Sequence, residues 1–327
     1  MATQITVLGT GQLGASIGLA LAQKKDNIYR VGFDPNRLLA QRVEKLGAFD
    51  KMHFNLRAAV EKADVIILTL PVDLIRKVME VVVEEMKPGS VLVDMSIIPN
   101  ITAQWAKELL PEDRYFLALT PATNPAYFDE SDVTVDATHA DYYHNSVMLL
   151  STPLGTHESA IRLGQDLSSL LGATVVFSEA TEAAGLSVAT TLIPELTAAA
   201  LVNATIDQPG WRDARKMAGR EYSHATDPLL DLPEVEALGQ AALLNRELVI
   251  RMLDEYAEQI YTLRQHLAGN HEEEVKEYLE HAVNGRSLWL HQRRTQNWDV
   301  TPKAEGPSFG ETMRRLFWFG GDKNKNS

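Results

Sequence analysis

Cysteine is absent from the 327 residues. That excludes disulfides, thiolate metal sites and cysteine nucleophiles, and it fits a reducing, cytoplasmic setting. Positive charge is scarce. The 31 Lys and Arg face 44 Asp and Glu, a net charge of −13, so the chain as a whole is a poor partner for nucleic acid or an acidic membrane. No apolar run reads as long enough to span a bilayer, so no membrane partner is expected. No signal segment is expected either, since Met1 leads almost directly into a strand. There is no internal repeat. The histidines show no ligand spacing, and no metal site is expected.

The chain organises around the stretch from Ile5 to Asp34. Ile5-Thr6-Val7-Leu8 reads as a strand, Gly9-Thr10-Gly11-Gln12-Leu13-Gly14 as a turn, the apolar run to Ala22 as a helix, and Ile28 to Asp34 as a second strand. Gly9 permits a tight turn. Gly11 removes a side chain where a pyrophosphate approaches the backbone, and Gly14 lets the helix pack on the sheet. The free N–H groups of the helix start, from Gln12 and Leu13 onward, then face the phosphates. Asp34 ends the second strand where a carboxylate accepts from the ribose hydroxyls. The carboxylate favours NAD over NADP. Arg37 points the other way, being close enough to reach a 2′-phosphate, unless it is a solvated residue in the next helix's first turn. The competing reading of the whole stretch is a glycine-rich turn that binds nothing.

A length of 327 residues suggests two domains with a sizeable core. Strands and helices alternate from Asp34 to Phe177. Helices are expected from Pro35 to Leu46, Phe54 to Lys62, Val72 to Met86, Ile101 to Leu110 and Thr156 to Leu171. Strands are expected at 65–70, 91–94, 115–119, 146–151 and 173–177. The apolar run Val65 to Leu70, ending at Pro71, reads as a strand buried on both faces. The segment Asp129 to Asn145 reads as a polar flap or added ribbon. The fold class is therefore α/β, a doubly wound and mostly parallel Rossmann sheet. Beyond Glu179 strand signals stop. Helices are expected from Thr181 to Asn203, kinked at Pro194, as one long helix from Val235 to Leu267, and from Glu272 to Arg294 with an interruption near Gly285. Gly210 to Asp231 reads as a polar loop or short helices, and the tail from Thr301 as frayed. Residues 1–178 are thus a cofactor-binding domain and 179–327 an all-α dimerisation domain, with a homodimer expected because long amphipathic helices need a partner surface.

On these residues the chain resembles the prephenate/arogenate dehydrogenase family. The resemblance rests on Leu8 to Ser16, Ala63 to Leu68 with Leu70-Pro71-Val72, Gly89 to Asp94, Leu150-Ser151-Thr152-Pro153 and Leu171-Gly172-Ala173. In the helical half it rests on Leu192-Ile193-Pro194, Trp211-Arg212-Asp213, Asp227-Pro228 and Leu244-Asn245-Arg246-Glu247. It implies an NAD(P)-dependent oxidoreductase of tyrosine biosynthesis type. Four positions depart from the family pattern. Ile97 stands where the family has a serine, with Ser96 one position before. Thr120 replaces the catalytic histidine before Pro121, and Ala183 and Leu192 replace two further histidines. A changed substrate follows, because threonine at its normal pKa does not accept the substrate hydroxyl proton.

Ser96, Thr120 and Asn124 lie at strand ends, where doubly wound sheets bind ligands, and could hydrogen-bond a substrate oxygen or the nicotinamide amide. Loop and cap chemistry explains them equally well. Leu70 and Pro71 would lie along the cofactor. Glu195 follows a proline on an apolar helix and is the preferred acid/base; a surface glutamate is the alternative. Arg215 or Lys216 would hold a substrate carboxylate, as the resemblance implies, unless this is a solvated basic stretch. Two other functions fit: a dehydrogenase or imine reductase acting on a small hydroxy or amino acid, and a catalytically silent NAD-binding dimer.

Overall fold

The computed structural model describes residues 2–23, 27–130, 132, 134–229 and 235–299. The cofactor-type half runs β1 (Thr3–Leu8), α1 (Gln12–Ala22), β2 (Ile28–Phe33), α2 (Arg37–Leu46), β3 (Lys51–His53), α3 (Leu56–Val60), β4 (Val65–Leu68), α4 (Val72–Glu85), β5 (Val91–Asp94), α5 (Pro99–Leu109), β6 (Tyr115–Pro121), β7 (Ser146–Ser151), α6 (Glu158–Leu170) and β8 (Ala173–Phe177). The eight strands form one sheet in the order β3-β2-β1-β4-β5-β6-β7-β8, and only the β6–β7 pairing is antiparallel. Strand order reverses between β1 and β4, and such a switch point opens a crevice at the strands' carboxyl ends.

Every residue of β4 and β5 is buried. Their alternate side chains feed two cores. Val65, Ile67, Val91 and Val93 join Ile5 and Ile17 on one face. Ile66, Leu68 and Leu92 join Ile75 and Met79 on the other. Each such side chain contributes about 1.5–3 kcal/mol on burial. The second core extends into the helical half through Val188, Leu192, Ile193, Ala241 and Val249.

The helical half continues with α7 (Ala180–Ser187), α8 (Ile193–Ile206), α9 (Trp211–Met217), α10 (Arg220–Thr226), α11 (Val235–Leu244), α12 (Arg246–Ala268) and α13 (Glu272–Thr295). By compactness, Met1–His271 form one unit and Glu272–Ser327 another. The last strand ends at Phe177.

Several elements differ from the sequence reading. The edge strand β3 was not expected, because its three residues include only one apolar side chain. Asn36 caps α2 by accepting from the Leu38 and Leu39 N–H groups, so that helix starts at Arg37 rather than Pro35. The segment from Asp129 to Asn145 holds a short 3-10 turn at Val135–Ala137 and no strand among its described residues. Pro194 removes one hydrogen bond but does not end the helix. A π turn at Val188–Leu192 joins α7 to α8, with the Ile193 N–H reaching the Val188 carbonyl, and the proline falls in the first turn of α8, where its missing N–H is tolerated. The helix expected from Val235 to Leu267 is two helices, broken where Asn245 leaves helical geometry at φ −101° and ψ 22°. The interruption expected at Gly285 is absent. One glycine costs a helix only about 1 kcal/mol, and α13 runs through it. The expected absence of a bilayer-length apolar stretch is also corrected. The continuous helix Ala180–Ile206 has 27 residues and is long and apolar enough by composition, with 28% of its window buried. The tail from Thr301 and the end of the Gly210–Asp231 stretch lie outside the described residues.

Candidate active site

The glycine turn is built as a socket. Gly9 has φ +92°, and a Cβ there would stand 2.6 Å from the Thr69 carbonyl oxygen. A Cβ on Gly14 would stand 2.0 Å from the Gly9 oxygen, so α1 sits directly on the turn. Gly11 differs: nothing lies within 4 Å of its missing Cβ. The fold thus keeps Gly11 bare without needing the space for itself. Gly11 is the N-cap of α1 and supplies no side-chain cap, which leaves the first N–H groups of that helix, from Gln12 to Gly14, available to a phosphate.

Asp34 is buried and fixes this turn. Its Oδ2 accepts from the Thr10 N–H at 2.6 Å and the Thr10 hydroxyl at 3.2 Å, and its Oδ1 accepts from the Asn36 N–H at 2.8 Å. The end of β2 and the glycine turn therefore form one hydrogen-bonded unit. Arg37 is exposed in the first turn of α2. Gln12 donates to the Ala137 carbonyl at 2.9 Å and accepts from the Tyr142 hydroxyl at 3.4 Å, while the Tyr143 hydroxyl donates to the Leu13 carbonyl at 3.1 Å. These bonds clasp the segment before β7 against the start of α1.

A cavity of about 340 Å³ opens at the switch point. Leu13 lines it from α1, Thr69 to Val72 from the end of β4, Met95 to Ile97 from the end of β5, and Ala237, Leu238 and Ala241 from α11. Glu195 lines it from α8 and is the only ionisable side chain among the described residues that do. Burial alone pushes its pKa up to about 7. No hydrogen bond or ion pair to Glu195 is seen among the described residues. A carboxyl poised near neutrality at the mouth of the sheet's carboxyl edge is equipped to take and return a proton.

Ser96 is nearly buried in the same wall. Its hydroxyl donates to Asp94 Oδ2 at 2.8 Å and its N–H donates to Asp94 Oδ1 at 3.1 Å. The Thr102 hydroxyl donates to the same carboxylate at 2.5 Å. Burial raises the Asp94 pKa, and these hydrogen bonds hold it down in part. The Ser96 oxygen is thereby oriented; it accepts from the Ile98 N–H at 3.3 Å and has one lone pair left.

The structure brings together Leu13, Leu70, Pro71, Ser96 and Glu195 around one cavity. Thr120, Asn124, Arg215 and Lys216 do not line it. The Thr120 hydroxyl is buried without a partner among the described residues. Asn124 is consumed by its own loop, donating to the Asp141 carbonyl at 2.9 Å and accepting from the Ala126 N–H at 3.0 Å. Arg215 and Lys216 are exposed on α9, and Lys216 pairs with Asp213 at 2.8 Å. The sequence reading missed the contribution of α11. The small residues Ala237 and Ala241, four apart on one helical face, were the available signal.

Residues 17–177 match the family described as prephenate dehydrogenase, nucleotide-binding domain. The match begins within α1, just past the glycine turn. No curated protein matches the chain. Among solved structures, prephenate dehydrogenase from A. aeolicus, in complex with hydroxyphenyl propionate and NAD+, is 17% identical with a TM-score of 0.76, covering 88% of this chain and 98% of that one. Synechocystis arogenate dehydrogenase is 16% identical with a TM-score of 0.69, covering 88% of this chain and all of that one (100%). At such identities the likeness establishes a shared fold that extends from the sheet into the helical half.

Proposed function

We propose that the chain, whose residues 17–177 match the prephenate dehydrogenase nucleotide-binding family, runs an NAD(P)-dependent dehydrogenation with its own residues. The bare Gly11 and the open first turn of α1 fit a dinucleotide pyrophosphate. Asp34, at the end of β2, is placed for the adenosine ribose and favours NAD; Arg37 leaves NADP as the second choice. The bound nicotinamide supplies the hydride acceptor. Leu70 and Pro71, which line the cavity, would hold it there.

Glu195 takes the role that the family gives to histidine. As hydride leaves the substrate carbon, the hydroxyl proton passes to the Glu195 carboxylate. Ser96, oriented by Asp94, accepts or relays a hydrogen bond at the same oxygen. The observation that carries this reading is the lone, half-buried carboxyl with a pKa of about 7 in the cofactor cavity. Thr120 stands before Pro121 where the family carries its catalytic histidine, and this supports a changed substrate over prephenate itself.

The helical half serves as the dimer surface in this reading. Leu186 and Leu201 on α7 and α8, and Ile250, Tyr256 and Ile260 on α12, are large apolar side chains left open to solvent. A second copy is the occupant that covers such faces in a homodimer. This also gives the apolar helix Ala180–Ile206 a place in a cytoplasmic protein.

The test is steady-state NADH formation with prephenate and with arogenate, first with NAD and then with NADP, beside a panel of small hydroxy and amino acids. Turnover of a panel compound with NAD, lost in E195Q, supports the proposal. Cofactor binding without turnover of any compound would leave a silent NAD-binding dimer. Sedimentation of the purified protein as a monomer would remove the dimer.

A further inference from the structure

A second cavity, of about 510 Å³, lies where the first turns of three helices meet. Asn100 and Ile101 line it from α5, Thr181 from α7, and Asn245 to Leu248 from α12. None of these residues lines the cofactor cavity. The break between α11 and α12 creates the third of these helix starts, and all three helices have eight residues or more. The first N–H groups of a helix lack intrahelical acceptors and carry the positive end of its dipole.

Asn245 sets this cavity apart from an ordinary meeting of helix ends. It is 3% exposed, yet both its Nδ2 and Oδ1 lack a partner among the described residues. It stands at the N-cap of α12 and makes no side-chain cap bond there. The Oδ1 of Asn100 in the same wall is buried and unpartnered too. Leaving a buried amide unsatisfied costs about 1–3 kcal/mol, a cost that a ligand with matching groups removes. Arg246 adds an exposed cation at the rim. Glu247 is beside it and offsets that charge, while Glu182 of α7 is turned to the Ser178 hydroxyl at 2.8 Å. Leu243, Leu244 and Leu248 give the wall an apolar side, and Gln104 adds a further amide.

We propose that this cavity is a binding site for a small organic anion, a carboxylate or phosphate carried on an apolar body. The acidic head meets the open first turns and the Asn245 amide, and the body lies against Leu244 and Leu248. Helix N–H groups and a neutral amide, rather than net charge, hold the head group, which suits a site with one cation and one acid at its rim.

The experiment is calorimetry on the full chain saturated with NAD, so that the cofactor cavity is already filled. The probes are benzoate and phenyl phosphate, with benzyl alcohol as the uncharged control. The expected result is one saturable site for at least one anion and none for the alcohol. Asn245→Asp, which places a carboxylate where the amide was, weakens that binding at least tenfold. Arg246→Gln, at an exposed position, weakens it severalfold and serves if the first variant loses NAD binding through misfolding. The tighter of the two anions identifies the head group. The proposal is overturned if neither anion saturates, if benzyl alcohol binds as tightly, or if a variant that retains NAD binding binds the anion as the wild type does.

Discussion

The two halves of the molecule treat their buried ionisable groups differently. In the sheet half Arg30, Asp34 and Asp94 are spoken for, although the neutral side chains of Asn100, Thr120 and Ser151 each keep a buried oxygen without a partner among the described residues. The guanidinium of Arg30, only 4% exposed, grips Asp50 through two bonds of 2.7 and 3.1 Å and donates to the Gly18 and Ala48 carbonyls. Asp34 and Asp94 each accept three hydrogen bonds. In the helical half, among the described residues, Glu195 stands alone with its pKa near 7, Asn245 has no side-chain partner, and Leu243, Ile250 and Ile260 face solvent. The contrast separates two tasks. A socket for a large fixed cofactor is best built with saturated hydrogen bonds, because any slack moves the nicotinamide. Groups that exchange protons, take ligands or meet a second subunit have to be left with capacity.

The largest expected effect breaks the comparison at its active carboxyl. Glu195→Gln keeps the shape and removes the proton acceptor, and turnover of whichever substrate is oxidised falls by about 10²–10⁴-fold. The NAD dissociation constant, measured in parallel, stays within about twofold of wild type. The sheet half is probed by two alanines. A Cβ at Gly14 collides with the Gly9 backbone, so Gly14→Ala destabilises the fold by about 1–3 kcal/mol. Gly11→Ala meets no protein atom, leaves the melting temperature unchanged and weakens NAD binding tenfold or more, about 1.4 kcal/mol, in a binding titration.

Next is Asp94→Asn. Three donated hydrogen bonds converge on that carboxylate, and an amide oxygen replaces only part of it, so denaturant unfolding should show a loss of about 1–3 kcal/mol. The smallest effect is on pH dependence of stability. Glu195 holds its proton to about pH 7 when folded, against an ordinary value of 4.5. Between those values the folded chain keeps the proton and the unfolded chain has lost it. The contribution of Glu195 is therefore fully present below pH 4.5 and is lost as pH rises through 7. Partial exposure reduces its size. Unfolding of Glu195→Gln, compared with wild type across that window, should lack this component.

Much of the sheet half was legible because its signals are local. Gly9, Gly11 and Gly14 between a strand and a helix, with Asp34 after the next strand, specify a geometry that backbone sterics and hydrogen bonding then enforce. The strands Val91–Asp94, Ser146–Ser151 and Ala173–Phe177 fall where the apolar runs placed them. The edge strand β3 was not legible, since it borrows its structure from β2 and carries no pattern of its own. The helical half was legible in kind but not in its breaks. The fault at Asn245 lies inside an apolar run whose period continues across it, and the π turn before Pro194 is set by the ladder rather than by composition. Glu195 could be singled out from its apolar surroundings. That it shares a cavity with α11 could not, because the two lie roughly forty positions apart, beyond the reach of local pattern. Asn124 shows the reverse: a polar residue at a strand end suggested a ligand, and its amide proved to belong to its own loop.

One measurement tests the central claim, that Glu195 is the proton-transfer group beside the nicotinamide. It is an NMR titration of the Glu195 carboxyl carbon in the free protein, with NAD+ and with NADH. The account predicts a midpoint of about 7 in the free protein. It predicts a lower midpoint with NAD+ than with NADH, because the oxidised ring carries a positive charge that stabilises a neighbouring carboxylate. A midpoint near 4.5 in the free protein, or the same midpoint with both cofactors, would contradict it.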